Sequence, residues 1–172
     1  MNKKIMTKQL CRAAVITALY VALTYAFMPF AFGPIQIRPA EALCILPLFF
    51  PEAIPALFLG CALSNLGSPY AVFDVPVGAT TTLLAAFSSY LVGQFCKKEG
   101  LKFILGGFFP IVLNAFIIPI VFLYLYGDTA ASAVVYFYNV FTIFISQCIW
   151  VYGLGALLYY PLKRLKNTRF MK

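Results

Sequence analysis

Five stretches of this 172-residue chain carry no charged side chain and are each long enough to cross a bilayer: residues 13–35, 53–73, 75–96, 103–127 and 129–162. A crossing helix needs about 20 residues, at 1.5 Å each, to cover roughly 30 Å of hydrocarbon. A sixth apolar run, residues 42–51, lies between Glu41 and Glu52 and ends at Pro51. Coiled as an α-helix it would reach only about 15 Å, so it suits a membrane only if protein shelters its ends. Counting it, the pattern predicts an all-α integral membrane bundle of six transmembrane helices. Their bounds are about 8–30, 39–50, 52–67, 76–97, 101–126 and 131–161, in one domain over residues 1–172. Pro39 and Pro76 stand at predicted helix starts, where a missing N–H breaks no intrahelical bond. Gly33-Pro34 and Gly67-Ser68-Pro69 punctuate predicted loops.

Charge supplies the orientation. Of the 13 Lys and Arg, all but Arg38 fall in three short groups, at residues 3–12, 97–102 and 163–172. With six helices all three groups lie on one side, and basic clusters flanking apolar spans face the cytoplasm. Five helices would place the two terminal groups on opposite faces. The expected location is therefore the cell membrane, multi-pass, with both termini cytoplasmic. The net charge of +8 is concentrated at span ends, a pattern that meets anionic lipid and gives no reason to expect nucleic acid. Hydrophobic residues make up 63% of the chain and charged residues 10%, outside the range of a soluble domain.

Small residues mark the packing faces. The first helix carries Ala14, Ala18 and Ala22; the third, Ala56, Gly60 and Ser64; the fourth, Thr81, Ala85, Ser89 and Gly93. Small residues four apart let helices approach closely in lipid. For the third and fourth helices this reads as internal packing. For the first, internal packing and a docking face for a partner subunit stand as equal alternatives.

The strongly polar residues within or beside the spans are few: Glu41, Asn65, Asp74, Asn114, Asn139 and Gln147, with Arg38 three residues before Glu41. An ionised side chain at bilayer depth costs about 2.5–3.5 kcal/mol even on lenient scales, so those retained need a reason. The predicted topology puts Glu41, Asn65, Asp74, Asn114 and Asn139 in the outer half of the bundle, which describes a pocket and not a path across. Each has a structural alternative. Glu41 falls where a carboxylate caps a helix start, with Arg38 snorkelling beside it. Asn65 ends a helix, Asp74 precedes one from a loop, and Asn114, Asn139 or the deeper Gln147 can serve as interhelical glue.

Enzymatic readings fail on inventory. The chain has no histidine, which removes H-E-x-x-H metal sites and Ser–His dyads, and it has no G-x-x-x-x-G-K for nucleotide. Five cysteines without a C-x-x-C pair read as buried thiols. No metal and no cofactor is called for. What remains is a binding protein energised from elsewhere, or a structural subunit of a membrane complex that binds no ligand.

Ile35-Gln36-Ile37-Arg38-Pro39-Ala40-Glu41-Ala42-Leu43, followed by Phe73-Asp74-Val75-Pro76-Val77-Gly78 and Thr80, resembles the QueT family. The alanine-spaced first helix and basic ends resemble the substrate-binding S components of energy-coupling-factor (ECF) transporters more generally. The resemblance covers nearly the whole chain. It implies a queuosine precursor as ligand, either queuine or a 7-substituted 7-deazaguanine, or else a different vitamin-like heterocycle. Glu41, and after it Asp74, would accept N1–H and the 2-amino group, as one carboxylate accepts two donors from arginine. Arg38 or Asn65 would donate to the ring carbonyl, and Phe73, Tyr136 or Tyr138 would cover the base. A carboxylate is expected in relatives near Gln147, where this chain has an amide. The resemblance also implies partners: a transmembrane T component, bound through Ala14, Ala18 and Ala22, and two cytoplasmic ATPases. Residues 31–39 would serve as a lid.

Overall fold

The computed structural model describes residues 3–32, 36–121 and 132–166, and among them every regular element is helical. Seven α-helices occur: α1 Lys3–Ala26, α2 Met28–Ala31, α3 Ala53–Asn65, α4 Ala71–Phe95, α5 Glu99–Ile120, α6 Ala133–Cys148 and α7 Gly155–Lys166. A 3-10 helix, Pro39–Leu48, lies between α2 and α3, and a π-helical segment, Ile149–Leu154, joins α6 to α7. Among the described residues four stretches are long and apolar enough to cross a membrane: Met6–Ala26, Ala71–Phe95, Glu99–Ile120 and Ala133–Leu165.

Large apolar side chains cover the outside of the bundle as well as filling its core. Val72, Phe95 and Val134 are each about 80% exposed, while Thr81, Thr82, Ser89, Asn114 and Glu41 are buried. An apolar exterior over a polar-lined interior is stable only where the surroundings are themselves apolar.

The short apolar run forms the centre of the bundle. All ten residues of Pro39–Leu48 are buried, and the element touches α1, α3, α4, α5, α7 and the π segment. Its expected shelter is therefore complete, although its winding is 3-10 and not α. Pro39 begins it, and Pro47, lying inside it, has no N–H to give. At about 2.0 Å per residue the run extends roughly 20 Å instead of 15 Å. Ile16, Tyr20, Leu57, Cys61 and Ala86 pack with its Leu43 and Cys44 on one side. Ile111, Val151 and Tyr159 pack with Ile45 and Leu48 on another.

Three expectations change. Helix α4 starts at Ala71, so Pro76 is inside it and Asp74 belongs to its first turn, not to a preceding loop. The amides of Phe73 and Asp74 both bond to the Tyr70 carbonyl and wind the chain before the proline is reached. The first predicted helix divides at Phe27 into α1 and α2. The last helix, expected over 131–161, carries the π segment, with αR backbone at its junctions Ile149 and Gly155. It therefore runs as one rod from Ala133 to Lys166. Parts of the predicted 101–126 and 131–161 helices, and Gly33-Pro34 of the predicted lid, lie outside the described residues.

Prolines within membrane helices leave a carbonyl without its usual donor, and the fold supplies one. Pro110 in α5 cannot bond to the carbonyl four residues earlier, Gly106, so the Ser89 hydroxyl of α4 donates to it at 2.6 Å. Polar links also fasten the basic end. Arg12 pairs with Glu52 at 2.7 Å and stacks over Phe50. The Tyr159 hydroxyl donates to the Glu99 carboxylate at 3.0 Å, joining α7 to the start of α5.

Candidate ligand-binding site

Glu41 is the third residue of the 3-10 helix and is 1% exposed. Its carboxylate is held by donors from three elements. The Tyr20 hydroxyl of α1 donates to Oε1 at 2.8 Å, the Cys44 thiol to Oε2 at 3.3 Å, and the Asn114 amide of α5 to Oε2 at 3.3 Å. Tyr20 reaches this point because Gly60 lets α3 close on α1; a Cβ there would lie 2.9 Å from the Tyr20 Cβ. The donors are all neutral. Arg38, expected beside Glu41, turns away: its Nε donates to the Ala31 carbonyl at 2.8 Å, and its guanidinium lies 4.9 Å from the centre of the Phe32 ring. No ion pair joins Arg38 to Glu41, and the Glu41 carboxylate bonds to side chains instead of capping a helix start. A carboxylate has about four lone-pair sites, so three donors leave one open.

The segment before the 3-10 helix is pinned from two sides. The Ile37 amide bonds to the Phe30 carbonyl at 3.0 Å, and the Ser146 hydroxyl of α6 donates to the Gln36 carbonyl. Gln36 itself is 1% exposed, yet neither Nε2 nor Oε1 of its amide has a hydrogen-bond partner. Gln147, the neighbour of Ser146, is 3% exposed and its Oε1 likewise has none. A buried amide atom without a partner costs about 1–3 kcal/mol, and Gln36 carries two of them.

Asn65 and Asp74 meet each other. The Asn65 amide donates to the Asp74 backbone carbonyl at 2.8 Å and to Cys61 Sγ at 3.4 Å, while Ser68 donates to the Asp74 carboxylate. Together they clasp the corner between α3 and α4. On α6, Asn139 donates to the Val135 carbonyl at 2.9 Å, and the Tyr136 hydroxyl donates to the Phe116 carbonyl of α5 at 2.9 Å. Asn139, Ile143 and Gln147 recur every four residues and form one buried face of α6. Phe73 is half-buried and Tyr138 is 58% exposed. Of the predicted residues, then, Glu41 and Asn114 are in direct contact, Asn65 and Asp74 form a second pair, and Asn139 and Gln147 are buried on α6.

Tyr20, Ser146 and Gln36 escaped the sequence reading. Tyr20 lies four residues after the buried Ile16, on the face of α1 opposite the alanines, and this spacing is the signal that finds it. Gln36 stands as a lone amide between two isoleucines, hidden by its place in a predicted loop.

Ala14, Ala18 and Ala22 are all exposed. With Pro55, Leu59 and Leu63 they line an open apolar groove between α1 and α3. The small residues of α3 and α4 are by contrast turned inward: Ala56, Gly60, Ser64, Thr81, Ala85 and Ser89 are buried.

The family model described as "QueT transporter" matches residues 10–164. A protein of Lactococcus lactis subsp. cremoris (strain MG1363) described as "Queuosine precursor transporter QueT" is 37% identical over 99 residues. The match spans 56% of this chain and 58% of that protein, somewhat more than half the length of each. No solved structure matches the chain. With the family match running through all four apolar spans and the Glu41 network, this chain belongs to the QueT transporter family.

Proposed function

We propose that the chain is the ligand-capturing membrane subunit, an S component, of an ECF-type importer for a queuosine precursor. The ligand is queuine or a 7-substituted 7-deazaguanine, taken from outside the cell. A T component and two cytoplasmic ATPases complete the transporter and supply the energy, so the chain itself is not an enzyme. The observation that carries this reading is the family match over residues 10–164. Six crossings follow if α1–α2, the 3-10 helix, α3, α4, α5 and the α6–α7 rod each count once. Both termini and the loop around Lys98 then face the cytoplasm.

Within the site, Glu41 accepts the ligand's N1–H and 2-amino group. Its contacts with Cys44 and Asn114, both at 3.3 Å, are the longer ones, and these give way to the ligand's donors. Asn114, freed from Glu41, donates to the ring carbonyl, Arg38 holds the segment before the 3-10 helix through the Ala31 carbonyl, and Gln147 supplies a further polar contact. Phe73 and Tyr136 cover the base, Asn139 orients α6, and Asn65 with Asp74 fixes the outer corner. The open groove at Ala14, Ala18 and Ala22 receives the T component, because small residues let a partner helix approach closely.

Calorimetry of the purified full chain against 7-deazaguanines, guanine, thiamine and folate tests the reading. Submicromolar binding confined to the 7-deazaguanines is expected. Glu41→Gln replaces an acceptor with a donor and costs about 2–4 kcal/mol, roughly 30- to 1000-fold in affinity. Analogues lacking the 2-amino group lose affinity for the wild type and much less for the variant. No 7-deazaguanine binding at all would defeat the proposal and favour a structural subunit.

A further inference from the structure

The least satisfied buried side chain among the described residues is Gln36, just before the 3-10 helix, with both amide atoms unpartnered; Oε1 of Gln147 on α6 is the other such atom. Both side chains are more than nine-tenths buried. They belong to elements already joined, since Ser146 donates to the Gln36 carbonyl and Gln147 is the next residue. The Gln36 amide, however, bonds to nothing in the protein. Just after Gln147 α6 leaves regular winding, for Ile149–Leu154 is π-helical, a local distortion frequent at functional sites.

We infer that Gln36 contacts the transported ligand directly, and that its amide selects the free base over N9-substituted forms such as the nucleoside. This rests on the reading of the chain as a 7-deazaguanine binder. The argument is one of complementarity. An amide presents a donor and an acceptor side by side, so an edge with an adjacent acceptor and donor pairs with both its nitrogen and its oxygen at once. A 7-deazaguanine free base has such an edge at N3 and N9–H: N9–H donates to Oε1 of Gln36 and N3 accepts from Nε2. The neighbouring edge, N1–H with the 2-amino group, offers donors only and suits the acceptor-only carboxylate of Glu41. The two side chains thus take different edges of one flat ring. Any substituent on N9 removes the donor and puts bulk against a buried residue.

Calorimetry with 7-cyano-7-deazaguanine and its 9-methyl derivative tests this on the full chain, wild type and Gln36→Leu. The wild type should bind the 9-methyl compound about 10- to 100-fold more weakly than the parent, as expected for losing a buried hydrogen bond. Gln36→Leu should weaken the parent by a similar factor and bind both compounds about equally. Its melting temperature without ligand should be unchanged or higher, because the amide it removes has no protein partner. A Gln36→Leu affinity for the parent within threefold of wild type, or an undiminished 9-methyl penalty, overturns the inference while leaving the transport reading intact. If the leucine variant does not fold, the amide serves the fold unless Gln36→Glu folds and shows the same loss toward the parent. Failure of the wild type to bind 7-cyano-7-deazaguanine removes the transport reading and this inference with it.

Discussion

Removing one oxygen from Tyr20 isolates the central network's contribution to stability. Tyr20→Phe keeps the ring, and with it the close contact to Gly60, but deletes the 2.8 Å donor to Glu41 Oε1. That oxygen then has no donor, because Cys44 and Asn114 both serve Oε2. Tyr20 is 1% exposed, so water does not replace the lost hydroxyl. A hydrogen bond to a charged group contributes about 1.5–3 kcal/mol. For a chain of this size each kcal/mol shifts the melting temperature by about 2–4 °C. The expected drop is therefore about 3–12 °C for the purified chain in a fixed detergent, followed by the fluorescence of its single tryptophan, Trp150. Repeating the change in a Glu41→Gln background should cost roughly half as much, because the bond is then neutral, at about 0.5–1.5 kcal/mol. A Tyr20→Phe shift below about 1 °C, or the same shift in both backgrounds, would refute the network as a contributor to stability.

Gly93→Ala should lower the melting temperature by an amount corresponding to about 1–3 kcal/mol, since its new Cβ would meet the Leu48 backbone oxygen at 2.9 Å and its Cα at 3.0 Å. Gly100→Ala, with nothing within 4 Å, should be neutral or slightly stabilising in the same melt. Trp at both Ala14 and Ala18 should abolish uptake and co-purification of partner subunits while leaving ligand affinity within about threefold, because the groove is separate from the Glu41 network. Equal loss of ligand binding would reassign that face to the fold. In a background lacking the five native cysteines, an impermeant thiol reagent applied to intact cells should label Pro69→Cys but not Lys98→Cys; labelling of the latter would reverse the orientation.

The charge-free runs made the apolar spans legible, because a bilayer penalises charge more strictly than water rewards any particular apolar residue. Glu41 was legible for the same reason, as an acid kept inside an otherwise apolar stretch. The winding of residues 39–48 was not, since 3-10 and α-helix differ by which carbonyl an amide chooses, and crowding from six surrounding elements decides that. Asp74 was misplaced because Pro76 reads as a helix start, whereas the turn closed on the Tyr70 carbonyl begins the helix earlier. Arg38 and Glu41 look like an ion pair in sequence, yet neighbours contributed by α1, α5 and residues 31–32 claim each of them separately. Such claims come from tertiary contacts and leave no trace in local spacing.

The bond from Ser89 to the Gly106 carbonyl has a consequence for how this protein can vary. Pro110 creates the need that Ser89 meets, so the two positions behave as one heritable unit although they lie on different helices. Ser89→Ala alone leaves a bare carbonyl in an apolar interior. Ser89→Ala together with Pro110→Ala returns that carbonyl to its own helix, whose amide at 110 can then reach it. A survey of single substitutions would score Ser89 as intolerant, while a survey of pairs would find it free to change whenever its proline does.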